Sequence, residues 1–491
     1  MRKERIVPLI VASALFMENM DATVIATSLP AIAADIGSSP LTLKLAITSY
    51  LLALAVFIPA SGWMADRFGA RRVFTWAIVV FMLGSVGCAM AQTIEHFVIA
   101  RTIEGIGGAM MTPVGRLVVL RTIDKRQLVA AMAWMTAPAL IGPVVGPALG
   151  GFITTYFSWH FIFLINLPIG ILGIVMAQRY IDPIKADEIQ PFDFKGFVLA
   201  GLGLGGMAFG LSVAGLKVLP WPAVIAFVVG GASAMALYLM HYRRVASPVL
   251  DLALMRLKSM RAAVTGGFLF RLGAGSLPFL LPLLLQVGFR MTPFQSGLIT
   301  FGSAVGALFM KAIASPIIKT FGFRNVMVVN ALVSSAFLAV CALFTPATPA
   351  ALILVLLIVG GFFRSLEFTA INTIGYAEVD MARLSRATTL SSVTQQLATA
   401  AGVAVGALAV ELTLTFRGSP ELTASDFAPA FIVVALISAS SAIIFALMPS
   451  DAGHEVSGRR AKEISSQKEV DKAAEKTAIE ETEDVRDQRL G

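Results

Sequence analysis

Fourteen apolar runs along the chain are each long enough to cross a hydrocarbon core of about 30 Å, which takes about 20 helical residues. They lie near 8–30, 43–63, 73–91, 97–120, 128–153, 161–181, 196–216, 220–242, 262–287, 294–319, 325–344, 350–375, 386–412 and 427–448. In lipid a helix satisfies its backbone polar groups within its own segment. The expected fold class is therefore an all-α integral membrane protein with 14 transmembrane helices. Composition agrees: 57% of the residues are apolar and 14% charged, against about 25% charged in a soluble domain. The basic, then apolar, start imitates a secretory signal. Glu18 and Asp21 interrupt it, so the first run is expected to stay as an uncleaved helix.

Short loops between spans carry a strong Lys/Arg bias, which sets orientation. An inside N-terminus puts twenty-one Lys/Arg on the cytoplasmic side and leaves Lys44, Lys217, Arg290 and Arg417 outside. Both termini are thus expected in the cytoplasm, in a plasma membrane of bacterial inner-membrane type. The same bias accounts for the net charge of +8 and removes any need for a nucleic-acid partner. Cys88 and Cys341 sit in apolar runs, and four scattered histidines form no ligand pair, so neither a metal nor another cofactor is expected. From residue 451 a polar tail rich in both charge signs cannot bury apolar surface and is expected to be disordered or a loose surface helix.

A shift of 253 residues superposes several landmarks: Pro40 on Pro293, Phe68-Gly69 on Phe321-Gly322, Arg71 on Arg324, Cys88 on Cys341, and Gly107-Gly108 on Gly360-Gly361. The chain reads as two related six-span bundles, 1–181 and 262–450, joined by a linker, 182–261, that carries two extra spans. Parallel halves of this kind form secondary transporters with a midplane site between them.

Five stretches carry polar or small residues where a simple span would not. The first span holds Glu18 and the run Met20-Asp21-Ala22-Thr23-Val24, followed by Leu29-Pro30. Carboxylates within a span are costly and face a cavity or a partner. At this spacing the two share a helical face and titrate as a coupled pair, as a proton-coupled cycle needs. Between spans 2 and 3 lies Gly62-Trp63-Met64-Ala65-Asp66-Arg67-Phe68-Gly69-Ala70-Arg71-Arg72, where glycines allow a tight turn and Asp66 can pair with arginines. Span 4 has Arg101 and Glu104 at i, i+3, able to pair with each other or with a first-span carboxylate. Span 5 reads Ala137-Pro138-Ala139-Leu140-Ile141-Gly142-Pro143-Val144-Val145-Gly146-Pro147-Ala148-Leu149-Gly150-Gly151, a bent helix with a smooth face. Span 6 opens with Trp159-His160-Phe161-Ile162-Phe163-Leu164-Ile165-Asn166-Leu167-Pro168-Ile169-Gly170, for which interfacial anchoring is expected.

Together these stretches resemble the major facilitator superfamily, specifically its fourteen-span drug:proton antiporter branch. The resemblance covers nearly all of the first six spans and is looser afterwards. It departs at Glu104, where the family's span-4 motif usually has Gln, and at Lys319–Arg324, where the second-half loop lacks the acid. It implies a non-enzymatic exporter working by alternating access, powered by a proton gradient, with small molecules and protons as partners in the bilayer; the sequence leaves the oligomeric state open, a monomer being the expectation. It implies proton coupling at Asp21, Glu18, Arg101 and Glu104. It also implies a cytoplasmic latch at Gly62, Asp66, Arg67, Gly69, Arg71 and Arg72, and an antiporter motif at Gly142, Pro143, Gly146, Pro147 and Gly150.

The second half carries Arg271, Lys311 and Arg364 at membrane depth, with Glu367 three residues after Arg364. Buried charges are usually paired, so the default is pairing with Glu18, Asp21, Glu104 and Glu367. The alternative leaves some of them free for an anionic substrate. With Gln286 and Asn372 these four are the candidate substrate-cavity residues. Amphipathic drugs or metabolites are the expected cargo, organic anions or anionic metal chelates the alternative, and a non-transporting sensor on a transporter fold the alternative from another class.

Overall fold

The computed structural model of the protein describes residues 3–123, 128–183, 191–213, 219–245, 247–380, 383–418, 421–449 and 452–453. Lys125, Arg126, Lys185, Lys217 and nearly all of the tail fall outside them. Fourteen long helices follow one another: α1 (Lys3–Asp35), α2 (Lys44–Phe68), α3 (Ala70–Ala89), α4 (Ile94–Thr122), α5 (Leu128–Tyr156), α6 (Phe161–Tyr180), α7 (Phe194–Val213), α8 (Trp221–His241), α9 (Lys258–Leu283), α10 (Pro293–Phe321), α11 (Phe323–Val340), α12 (Ala350–Ile374), α13 (Leu384–Arg417) and α14 (Phe427–Ala446). No strand occurs among the described residues. Thirteen helices are long and apolar enough to cross a membrane. The remaining expected span falls on α5, a 29-residue helix.

The sequence repeat has a backbone counterpart. α2 passes into α3 at Gly69 (φ 91°) and α10 into α11 at Gly322 (φ 78°). A positive φ is cheap for glycine alone, so Phe-Gly recurs where the chain makes the same sharp reversal. In each half the two-glycine step brings helices into backbone contact. A side chain at Gly107 would meet the Phe81 backbone on α3, and one at Gly361 the Ser303 backbone on α10.

α1 packs along α5, α4 fills the gap between α2 and α3, and α6 closes against α1 and α3; in the second half α9 packs on α13 and α14, and α10 on α12. The two sets meet mainly through α5 with α10 and α2 with α13, which exchange places under the 253-residue shift. The extra pair α7–α8 rests on α2 and touches α13, and exposes Trp221, Ile225, Val229 and Leu237 on its outer side.

The core is continuous at one end of the bundle and divided at the other. Away from the chain termini, one apolar cluster runs through both halves, from Leu29, Ile32 and Phe163 to Leu281, Leu285 and Phe431. Polar ties reinforce it: the fully buried Lys44 reaches Glu411 at 3.3 Å across α2 and α13, Gln286 Nε2 donates to the Thr27 carbonyl at 2.8 Å, and the Phe294 N–H donates to Thr155 Oγ1 at 3.0 Å. Nearer the termini each half has its own cluster, around Val11, Phe74 and Val118 in the first and around Phe270, Met327 and Phe445 in the second. The halves are thus joined most continuously at the far end; nearer the termini a smaller apolar cluster links them, with Ala55 of α2 and Val393 of α13 among its members.

Candidate functional site

Half-way along α1, Asp21 is 1% exposed. Arg101 of α4 reaches it through one guanidinium nitrogen, Nη1 to Asp21 Oδ2 at 2.6 Å, and the same nitrogen donates to Glu104 Oε2 at 2.7 Å. The two partners that the sequence offered Arg101 are therefore held at once. The neighbouring helices complete the cluster with neutral groups. Ser85 Oγ of α3 donates to Glu104 Oε1 at 2.9 Å, Asn166 Nδ2 of α6 donates to Ser85 Oγ at 2.9 Å and to Asp21 Oδ1 at 3.4 Å, and the guanidinium carbon lies 4.3 Å from the centre of the Tyr50 ring. Burial of such charges is tolerable only with this degree of pairing. With both acids ionised the cluster carries a formal −1, and one proton brings it to zero.

Glu18 does not join it. Its Oε2 accepts from Thr112 Oγ1 at 2.8 Å, closer to the end where α1 begins. The two acids of the expected coupled pair take different hydrogen-bond partners, Asp21 with Arg101 and Glu18 with the later part of α4, and still interact through space.

The α5 motif separates into two faces one residue apart. Gly142, Gly146 and Gly150 meet α1: a Cβ on Gly142 would lie 2.9 Å from the Phe16 carbonyl oxygen, and a Cβ on Gly150 would lie 2.8 Å from Thr27 Oγ1. Pro143 and Pro147, one step round the helix, line the cavity between the halves. Small residues at i, i+4 and i+8 let the backbones touch, and this places α1, with Asp21, against the helix that walls the cavity.

Of the latch residues, Asp66 accepts from Arg121 Nη2 at 2.5 Å, joining α2 to the end of α4. Arg71 Nη1 donates to the Ile181 carbonyl at 3.1 Å, and Gly69 makes the turn. Arg67, Arg72 and Gly62 are exposed, and the described residues give Arg67 and Arg72 no ion pair. The acid of the loop thus pairs with an arginine from α4 rather than with those of its own motif.

The central cavity, about 400 Å³, lies between α1 and α5 on one side and α9, α10 and α12 on the other. Thr23, Thr27, Pro143 and Pro147 form its first wall; Lys311, Arg364, Thr369 and Asn372 give the second its polarity. No carboxylate is among the described lining residues. Here the default of paired charges holds only in part: Arg271 and Glu367 interact through space, while Arg364 and Lys311 have no ion pair among the described residues. Arg271 Nη2 donates to Asn372 Oδ1 at 2.6 Å, Arg364 hydrogen-bonds Ser303, and Lys311 has no hydrogen bond or ion pair among the described residues. Glu367 is buried but faces α11, where Oε2 accepts from Asn330 Nδ2 at 3.0 Å, so it does not neutralise Arg364. Gln286 also stands outside the cavity, bound to Thr27 in the far-end seal.

A family profile described as the Major Facilitator Superfamily matches residues 11–246 and 263–486. The chain belongs to the major facilitator superfamily. Among curated members, a Salmonella heidelberg protein named "Putative multidrug resistance protein MdtD" is 37% identical over 449 residues, 90% of this chain and 94% of its own. The Salmonella typhi protein of that name matches to the same extent. Solved structures with the same fold include the POT family transporter PepTSo, with a TM-score of 0.65 and 15% identity over 90% of this chain and 97% of that one. A point mutant of the nucleoside transporter NupG has a TM-score of 0.61 and 13% identity over 90% of this chain and 99% of the other. Superfamily membership makes the chain a multi-pass membrane transporter of small molecules and not an enzyme.

Within this superfamily scaffold, sequence reasoning overlooked the neutral members of the site. Asn166 stands in the stretch expected to anchor at the interface, yet it is fully buried against Asp21; Trp159, seven residues before it, donates Nε1–H to Asp35 Oδ2 at 3.0 Å. The available signal was an amide in a span, following an acid several helices earlier.

Proposed function

We propose that the chain is a proton-coupled secondary exporter of amphipathic drugs or metabolites, alternating between states open to opposite sides of a bacterial inner membrane. The bundles 1–181 and 262–450 are the moving bodies, 182–261 joins them, and both termini lie in the cytoplasm. The observation that carries the coupling is the shared guanidinium: Asp21 and Glu104 both lean on Arg101. Asp21 carries the proton, and Arg101 and Glu104 adjust how tightly it is held. Glu18, on the same helix and bonded to Thr112, is a second proton site on the way to the near end. The α1–α5 contact supplies the link to substrate, since α5 turns one face to α1 and the other to the cavity. The name borne by the Salmonella relatives supports export of drugs. Asp66–Arg121 stabilises one of the two states at the cytoplasmic side.

The decisive test is proton flux in proteoliposomes driven by a panel of cationic, neutral and anionic amphipathic compounds. Asp21→Asn is expected to abolish substrate-driven proton flux while the protein remains monodisperse. Flux equal to that of wild type would defeat the assignment.

A second reading narrows the cargo to organic anions or anionic metal chelates. It rests on Lys311 and Arg364 in a cavity whose described lining contains no acid. Arg364→Ala should then impair anionic compounds selectively, and equal losses for cationic and anionic compounds would count against it.

A further inference from the structure

The connection from α8 to α9 is folded rather than slack. Two short turns, Tyr242–Arg244 and Leu252–Arg256, flank its middle. The buried Tyr238 hydroxyl of α8 donates to the Leu250 carbonyl at 2.7 Å and accepts from the Leu250 N–H at 2.8 Å. Asp251 caps the second turn, its Oδ1 accepting from the Ala253 N–H at 3.1 Å, and its other oxygen faces Arg386 Nη1 of α13 at 3.5 Å. The linker is therefore held between α8 and the first turn of α13.

This scaffold borders an open cleft of about 710 Å³ whose wall carries Arg243, Arg256, Arg383 and Arg386 against a single acid, Asp251. Asp251 is already engaged by its own turn and by Arg386, and the other three guanidiniums have no ion pair among the described residues. Four like charges brought together by rigid backbone repel one another, and a forked donor set of this kind matches phosphate oxygens. The position selects the source of the phosphate. The pocket lies where α8 ends and α9 and α13 begin, below the lipid-facing Leu237, Leu239 and Met240, which are 50%, 42% and 55% exposed. A ligand with its phosphate in the pocket and its tails along α8 satisfies both surfaces.

We propose that this arginine pocket binds the headgroup of an anionic phospholipid. Basic pockets at helix ends are a recognised way to hold such headgroups. Arg243 follows α8, Arg256 lies in the linker, and Arg383 and Arg386 begin the helix that packs on α2, so a bound lipid ties the extra helix pair to the contact between the halves.

The test titrates the purified full chain in detergent with dioctanoyl-phosphatidylglycerol, dioctanoyl-phosphatidylcholine and inorganic phosphate, reading thermal midpoint and, by native mass spectrometry, bound lipid. Phosphatidylglycerol should bind and raise the midpoint, and phosphatidylcholine should not. Arg256→Gln/Arg383→Gln should weaken phosphatidylglycerol binding by about tenfold or more, each lost arginine removing a full charge contact. Arg179→Gln/Arg324→Gln removes the same charge elsewhere at the same end and should leave binding within about twofold. Arg256→Lys/Arg383→Lys should recover part of the affinity, which separates lost binding from lost folding. Equal binding by the pocket and control variants would overturn the proposal. So would inorganic phosphate reproducing the whole effect, or phosphatidylcholine matching phosphatidylglycerol.

Discussion

The charges in the middle of the spans are held in opposite ways in the two halves. In the first half, one guanidinium lies between two carboxylates and every acid has a donor. In the second, Arg271 and Arg364 rest on an amide and a hydroxyl, the exposed Lys311 lines the cavity, and the nearby acid, Glu367, has its hydrogen bond with Asn330 and meets Arg271 only through space. Both arrangements sit on the same helical framework, repeated at 253 residues. The comparison separates two uses of buried charge: a closed cluster whose net charge a proton can change, and cations whose charge is left for something that enters from outside.

The comparison predicts its largest effect at Arg101. Arg101→Ala leaves two buried carboxylates uncompensated, and breaking such a pair costs about 3–5 kcal/mol. The variant should lose most of its monodisperse fraction, and Asp21→Asn/Arg101→Met/Glu104→Gln should recover thermal stability without recovering proton flux. Wild-type stability in Arg101→Ala would erase the distinction between the halves. Arg364→Ala removes a cation held by a neutral hydroxyl, a charge-assisted bond of about 1.5–3 kcal/mol net, and strands no buried acid. Its thermal midpoint should move by only a few degrees, whereas transport of anionic compounds should fall about tenfold, as one charge-assisted contact is worth roughly 1.5–3 kcal/mol. Asp66→Asn tests a pair that is half-exposed on both sides and so contributes about 0.2–1 kcal/mol. Cysteine labelling from the near end should report a population change of at most about fivefold, and no change would remove the latch. The smallest effect belongs to Glu367→Gln, which keeps an acceptor for Asn330; proton stoichiometry and cargo preference should both be unaltered, and a lost proton would make the second half a coupling site too.

Much of this was legible in the chain. Apolar run length located the spans, and Phe-Gly at 68–69 and 321–322 marked both sharp reversals, because only glycine takes that backbone cheaply. Asp21 and Arg101 stood out because charge within a span demands a reason. The neutral partners did not stand out: Ser85, Asn166 and Tyr50 interrupt no apolar run, and which of them meets an acid depends on how α2, α3 and α6 pack. Arg364 and Glu367 misled for a related reason. Spacing of i, i+3 suggests a pair on an isolated helix, but α12 lies between α10 and α11, and each residue found a nearer partner on a different neighbour. That the prolines at 143 and 147 wall the cavity follows from the phase at which the three glycines dock on α1.

The continuous apolar core at the far end has a thermal consequence. Opening that end exposes apolar surface that the charged near end does not exchange in kind, so the two conformations differ in heat capacity as well as in shape. Apolar contact weakens on cooling while exposed ion pairs such as Asp66–Arg121 do not depend on it. In the alternating cycle proposed above, cooling is therefore expected to loosen the far seal and shift the resting protein toward the state that faces the opposite side, which cysteine labelling from each side at two temperatures would check.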